Sequence, residues 1–194
     1  MSNSHLARSI LVAAVLGAAT PAFAHTGHDH SFTLLTGVLH PLTGPDHLVA
    51  MLCVGLWSAF VGGRSVYAWP AAFVAAMIVG ALVAHSGMVT LGVETMIMAS
   101  LLVIGTLLAS GVRLPVAAGA ALVAVFAFVH GFAHGAEAPL GSFGTYVVGF
   151  SATTALIHVA GIALGLALIH FQRPVLARFA AAATAAFGLV QLIG

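Results

Sequence analysis

The sequence has no lysine, one cysteine and very little charge. Charged residues make up 5% of its 194 positions and hydrophobic residues 61%. Soluble domains carry roughly a quarter charged residues, so an aqueous fold is excluded and the chain reads as an all-α integral membrane protein. Cys53 has no partner of its own kind, so no intrachain disulfide can form. The basic residues are scattered arginines with no patch among them, which excludes nucleic-acid binding. No Gly-rich phosphate loop of the Walker type occurs, so the chain does not itself use ATP. What the chain does have is histidine: 11 residues, more than its arginines or its acids. It also has 22 glycines, which suit close helix–helix approach in a membrane bundle.

Residues 1–24 read as a secretory signal peptide. Arg8 supplies the basic start, Ile10 to Ala19 the apolar core, and Ala22-Phe23-Ala24 the cleavage pattern. The alternative is an uncleaved first helix, for which the apolar core is short. Cleavage leaves a tail over 25–31, His25-Thr26-Gly27-His28-Asp29-His30, whose three histidines can collect metal. It lacks a third-position histidine, so it is not the usual amino-terminal copper/nickel clamp. A plain polar tail is the competing reading.

The membrane domain is 32–194. Six apolar segments run over about 32–61, 66–85, 89–109, 114–134, 143–169 and 175–193. Short Gly/Pro-rich turns separate them, as antiparallel neighbours require. With the N-terminus outside, the turns after segments one, three and five face the cytoplasm. They hold Arg64, Arg113 and Arg173, with Arg178 just beyond, and the other turns hold no arginine. This positive-inside pattern predicts an inner-membrane protein with both mature termini in the periplasm.

Segment one contains His40-Pro41-Leu42-Thr43-Gly44-Pro45-Asp46-His47. Asp46 in a bilayer costs roughly 2.5–3.5 kcal/mol on insertion scales, and an intramembrane ionisable group is by default a functional site. Pro41 and Pro45 each remove a backbone donor, so the first helix is expected to kink or break around Pro41–Pro45. Such breaks at membrane depth line cavities or binding sites. Segment four ends in His130-Gly131-Phe132-Ala133-His134-Gly135-Ala136-Glu137, whose three ionisable side chains share one helix face at i, i+4 and i+7. His85 and Glu94 lie at the outer ends of segments two and three, His158 near the middle of segment five and His170 at its inner end.

Ordered by depth, these residues suggest an outer site, a midplane site and an exit along one path. Imidazole and carboxylate suit nickel, cobalt, copper and zinc. Each residue has a plainer alternative: a kink-fixing polar pair for Asp46–His47, an extramembrane turn for His130 to Glu137, a helix-end cap for His85, an interhelical hydrogen bond for His158, and headgroup contact for His170. Met51 and Cys53 are expected to pack rather than ligate.

Two stretches carry a family resemblance. His40-Pro41-x-x-Gly44-x-Asp46-His47-x-x-Ala50-Met51, running on to Val54-Gly55-Leu56-Trp57 and Gly62-Gly63-Arg64, resembles the first motif of the HupE/UreJ membrane metal permeases. His130-Gly131-x-Ala133-His134-Gly135-x-Glu137 resembles the second, with Val129 where phenylalanine is frequent. The resemblance implies nickel or cobalt uptake linked to hydrogenase or urease. It also implies that His40, Asp46, His47, His134 and Glu137, together with His130 and Glu94, handle the ion. Residue type and position alone add His85, His158, His25, His28 and His30 as lesser candidates.

The expected function is a secondary, non-enzymatic permease for Ni²⁺ or Co²⁺, with Cu²⁺ and Zn²⁺ compatible with the same ligands. No cofactor is expected beyond the transported ion. The partners are the bilayer, the ion and, through small-residue helix faces, a second copy of the chain. The rivals are a membrane-embedded metalloenzyme, a metal sensor, and a b-type cytochrome using His47 and His158.

Overall fold

The computed structural model describes residues 34–138 and 141–194. The expected signal peptide and the His25–His30 tail lie outside them. All regular structure among the described residues is helical: α1 Leu34–Thr43, α2 Pro45–Val61, α3 Ser65–His85, α4 Val93–Ala109, α5 Val116–Glu137, α6 Phe143–His170 and α7 Pro174–Ile193. Helices α3, α5, α6 and α7 are each long and apolar enough to cross a membrane. The α1–α2 pair passes the same test jointly as a broken span, and α4 is a shorter apolar helix of 17 residues.

The expected break in the first segment is present and is sharp: α1 and α2 meet at 83°. It falls at Gly44, not at Pro41, which is accommodated inside α1. A residue before proline is pushed out of the helical region, and Gly44 is extended at φ −94, ψ 105. Pro45 then starts α2 as its first residue, where its missing N–H costs nothing.

Two other boundaries differ from the hydropathy reading. Helix α4 begins at Val93 rather than near Val89, because Gly92 adopts a left-handed φ of 76 that ends the preceding loop. Helix α5 runs on to Glu137 rather than stopping at His134, so the second histidine motif is helical throughout and is not a turn.

Three groups of helices are joined by glycines that let backbones touch. Gly80, Gly131 and Gly135 bring α3 against α5: a Cβ at Gly131 would collide with the Met77 carbonyl and one at Gly135 with the Ala81 carbonyl. Gly37 and Gly149 join α1 to α6, and Gly55 and Gly161 join α2 to α6. Gly105 and Gly188 join α4 to α7, where an added Cβ at Gly188 would lie 2.7 Å from the Met98 oxygen. Small residues at helix crossings are the usual basis of packing where no hydrophobic drive operates.

Large apolar side chains such as Leu156, Val159 and Phe179 face outward, while His130, His134, His158, Thr153 and Thr154 are buried. This is the inverse of a soluble bundle and suits lipid surroundings.

The two ends of the bundle differ. At one, the Trp57 and Trp69 indole N–H groups donate to the Val112 and Val116 carbonyls, each at 2.9 Å, with the rings 4.5 Å apart. These bonds fasten the α4–α5 loop to α2 and the start of α5 to α3. Arg178 lies against Gly111 in the same region, so the loops that carry Arg64, Arg113 and Arg173 gather at this end. The histidine motifs lie towards the other.

Replacing Gly131 with valine should lower the thermal midpoint of the detergent-purified protein by the equivalent of about 1–3 kcal/mol, the usual cost of overpacking. Gly141→Ala, where nothing lies within 4 Å of the added carbon, should leave it unchanged. A differential scanning fluorimetry comparison of the two checks this.

Candidate metal centre

The break at Gly44 sets His40, near the end of α1, and Asp46-His47, in the first turn of α2, against the last two turns of α5. The Gly131 and Gly135 contacts hold one side of α5 on α3. The residues just before them, His130 and His134, are turned to the α1–α2 side, where His40 and His47 meet them. The His40 and His134 rings are 4.7 Å apart, His47 and His134 4.7 Å, and His47 and His130 4.9 Å. The outer and middle histidines therefore form one continuous nest. The depth series read from sequence had separated them; the turn of the chain at Gly44 brings them together.

Hydrogen bonds fix the tautomers of two of these rings. A carboxylate only accepts, so the 3.1 Å contact between His47 Nδ1 and Asp46 Oδ1 is an N–H donation from the ring. The His130 Nδ1–H likewise donates to the Phe126 carbonyl at 2.9 Å. In both rings the lone pair is thereby placed on Nε2, and both Nε2 atoms are buried with no partner. Second-sphere bonds of this kind orient histidines that bind metals. Asp46 acts here as the residue that orients His47, and as a negative charge at the N-terminus of α2, where the helix dipole favours it.

His134 is buried with both ring nitrogens unpartnered, its ring stacked on Phe150 at 5.2 Å. At the outer edge, His40 Nε2 is 3.1 Å from Glu137 Oε2, and the Glu137 side chain is 56% exposed. Among the described residues, the recorded histidine–carboxylate contacts both belong to this nest. No three His, Cys, Asp or Glu side chains among them are drawn closely enough to hold an ion as they stand.

His158 lies beyond the nest on α6. It is 1% exposed and neither ring nitrogen has a partner, so the interhelical hydrogen bond weighed as its plainer role is not made. The ring of Phe73 separates it from the nest, 4.9 Å from His158 and 5.7 Å from His130.

The remaining candidates are elsewhere. His85 stacks flat on Phe143 at 3.7 Å. Glu94, in the first turn of α4, is exposed and makes no hydrogen bond or ion pair among the described residues. His170 is exposed beside Phe171. Met51 belongs to the core, and the Cys53 thiol faces the Thr184 hydroxyl at 3.8 Å on the α7 side. Reading by residue type missed Phe73, Tyr146 and Phe150, the aromatic walls of the nest. No polar pattern marks them. The Gly131-x-x-x-Gly135 spacing, in contrast, was there to be read as the packing face of α5.

Residues 13–191 match the family model described as HupE / UreJ protein. The chain is also 39% identical to Protein HupE of Rhizobium leguminosarum bv. viciae over 184 residues, covering 93% of this chain and 95% of that protein. The chain belongs to the HupE/UreJ family. No solved structure matches it. In this HupE/UreJ chain the first motif is the helix break itself and the second is the end of α5, and the two are in direct contact.

Solid-state NMR of the protein labelled with ¹⁵N-histidine should show His47 and His130 as Nδ1–H tautomers. Asp46→Ala should release His47 into a mixture and leave His130 unchanged.

Proposed function

We propose that this HupE/UreJ protein is a secondary permease that moves a divalent transition metal, Ni²⁺ first and Co²⁺ next, from periplasm to cytoplasm. The observation that carries the reading is the set of unpartnered ring nitrogens on His47, His130, His134 and His158 inside an apolar bundle. An orphaned buried polar group costs about 1–3 kcal/mol, and four such rings invite one explanation: their partner is the substrate. The family's association with nickel or cobalt supply to hydrogenase and urease supports the same reading.

The α1–α2 pair and α3 to α7 count as six spans, with the arginine end cytoplasmic by the positive-inside rule. Glu137 and His40 then meet the hydrated ion at the periplasmic rim. The Glu137 carboxylate offsets part of the penalty of bringing a divalent ion into low dielectric. His134, His47 and His130 replace water in turn, so dehydration is divided into steps. The open spacing of these donors favours moderate binding, which release requires; a closed four-ligand shell would retain the ion as a structural zinc site does. His158, past the Phe73 ring, receives the ion on the inward side. An inside-negative potential adds roughly 2.3 kcal/mol per charge per 100 mV, enough to drive uptake without ATP.

The test is metal uptake into proteoliposomes for Ni²⁺, Co²⁺, Cu²⁺ and Zn²⁺, with binding measured in parallel. Wild type should accumulate Ni²⁺ or Co²⁺. His134→Ala should lose binding and flux, and Asp46→Asn should weaken binding about 10–100-fold, as loss of a second-sphere partner does. His158→Ala should keep binding in the nest and lose flux. Tight binding with no flux in the wild type would replace the permease with a sensor or an enzyme.

A further inference from the structure

One more polar atom in the nest lacks a partner, and neither motif contains it. Tyr146, in the first turn of α6, is 1% exposed, and its hydroxyl is buried with no hydrogen bond. Its ring lies edge-on to His40 at 5.7 Å and to Phe150 at 5.4 Å, and Phe150 in turn stacks on His134. The phenol therefore stands in the same layer as the outer histidines. Its position is fixed from behind, because Gly37 of α1 packs against the Tyr146 main chain. Phenylalanine would make the same apolar contacts without burying an unpaired hydroxyl, so packing alone does not account for tyrosine here.

We infer that the Tyr146 oxygen is part of the substrate site and accepts a hydrogen bond from a water molecule that the divalent ion still carries while it sits among His40, His134 and His47. This rests on the metal-permease reading and adds a residue to its site. A neutral phenol is a weak direct ligand, whereas water bound to a divalent cation is a strong donor and needs an acceptor once bulk solvent is gone. Bridging water of this kind serves nearly as well as a direct bond. Tyr146 would let the nest accept an ion that is only partly dehydrated.

Two measurements on the purified full-length protein test this. The first is calorimetric titration with Co²⁺. Tyr146→Phe should weaken binding about fivefold to tenfold, the worth of one ordinary hydrogen bond. Its metal-free thermal midpoint should equal or exceed that of wild type, since an orphaned hydroxyl has been removed. The second uses the fact that the chain has only two tyrosines. Tyr67 is 64% exposed on the far part of α3, so in Tyr67→Phe the tyrosine doublet of the ultraviolet resonance Raman spectrum reports on Tyr146 alone. That doublet should change on saturation with Co²⁺.

Unaltered Co²⁺ affinity in a folded Tyr146→Phe protein overturns the assignment and leaves the permease reading standing. If Tyr146→Phe does not fold, an unchanged Raman doublet at saturation overturns it in the same way. A wild type that binds none of Co²⁺, Ni²⁺, Cu²⁺ and Zn²⁺ removes the permease reading, and the role of Tyr146 with it.

Discussion

A residue that precedes proline avoids the helical region, and Gly44 obeys this rule in the middle of what hydropathy treats as a single span. The consequence is geometric. On a straight helix, His40 and His47 would lie about two turns apart, near 10 Å along the axis. With the chain turned through 83° at Gly44, both rings reach the same histidine, His134, at equal distance. Every contact in the nest, and the orientation of Asp46 at the start of a new helix, depends on that one interruption.

The chemistry of the nest is decided by which nitrogen is spent. Asp46 and the Phe126 carbonyl each take a proton-bearing Nδ1, which leaves Nε2 free on His47 and His130. In water such lone pairs would be solvated at no cost. Between apolar helices they are a standing penalty, tolerated because the rest of the bundle is held by backbone contacts that do not depend on them. The nest is thus a place where unpartnered nitrogens detract from the stability of the bundle.

Much of this was legible in the sequence. Low charge and long apolar runs mark the helices, and α3, α6 and α7 begin and end within a residue of the hydropathy limits. The Pro-Gly-Pro stretch announces a break, although only the pairing of Gly44 with Pro45 says where it falls. Helix α5 outran its expected end because Gly135 and Ala136 are small but do not stop a helix whose neighbour fits them. The histidine motifs were visible as candidates, but not their mutual contact, since depth along a span carries no information about which faces meet. Tyr146 illustrates the remainder: an aromatic residue in an aromatic, apolar helix becomes noticeable only when its hydroxyl is seen to have no partner.

The glycine contacts have a mechanical consequence. His40, His47, His158 and Tyr146 ride on α1, α2 and α6, which are fastened to one another. His130, His134, Glu137 and Phe73 ride on α3 and α5, which are fastened to each other. The nest therefore lies along the seam between two stiff units, like the gap of a vice. Within each jaw, backbone-to-backbone contacts at the glycines set the spacing of the helices that carry the rings, so the gap between the two sets of rings is fixed by how one jaw sits on the other.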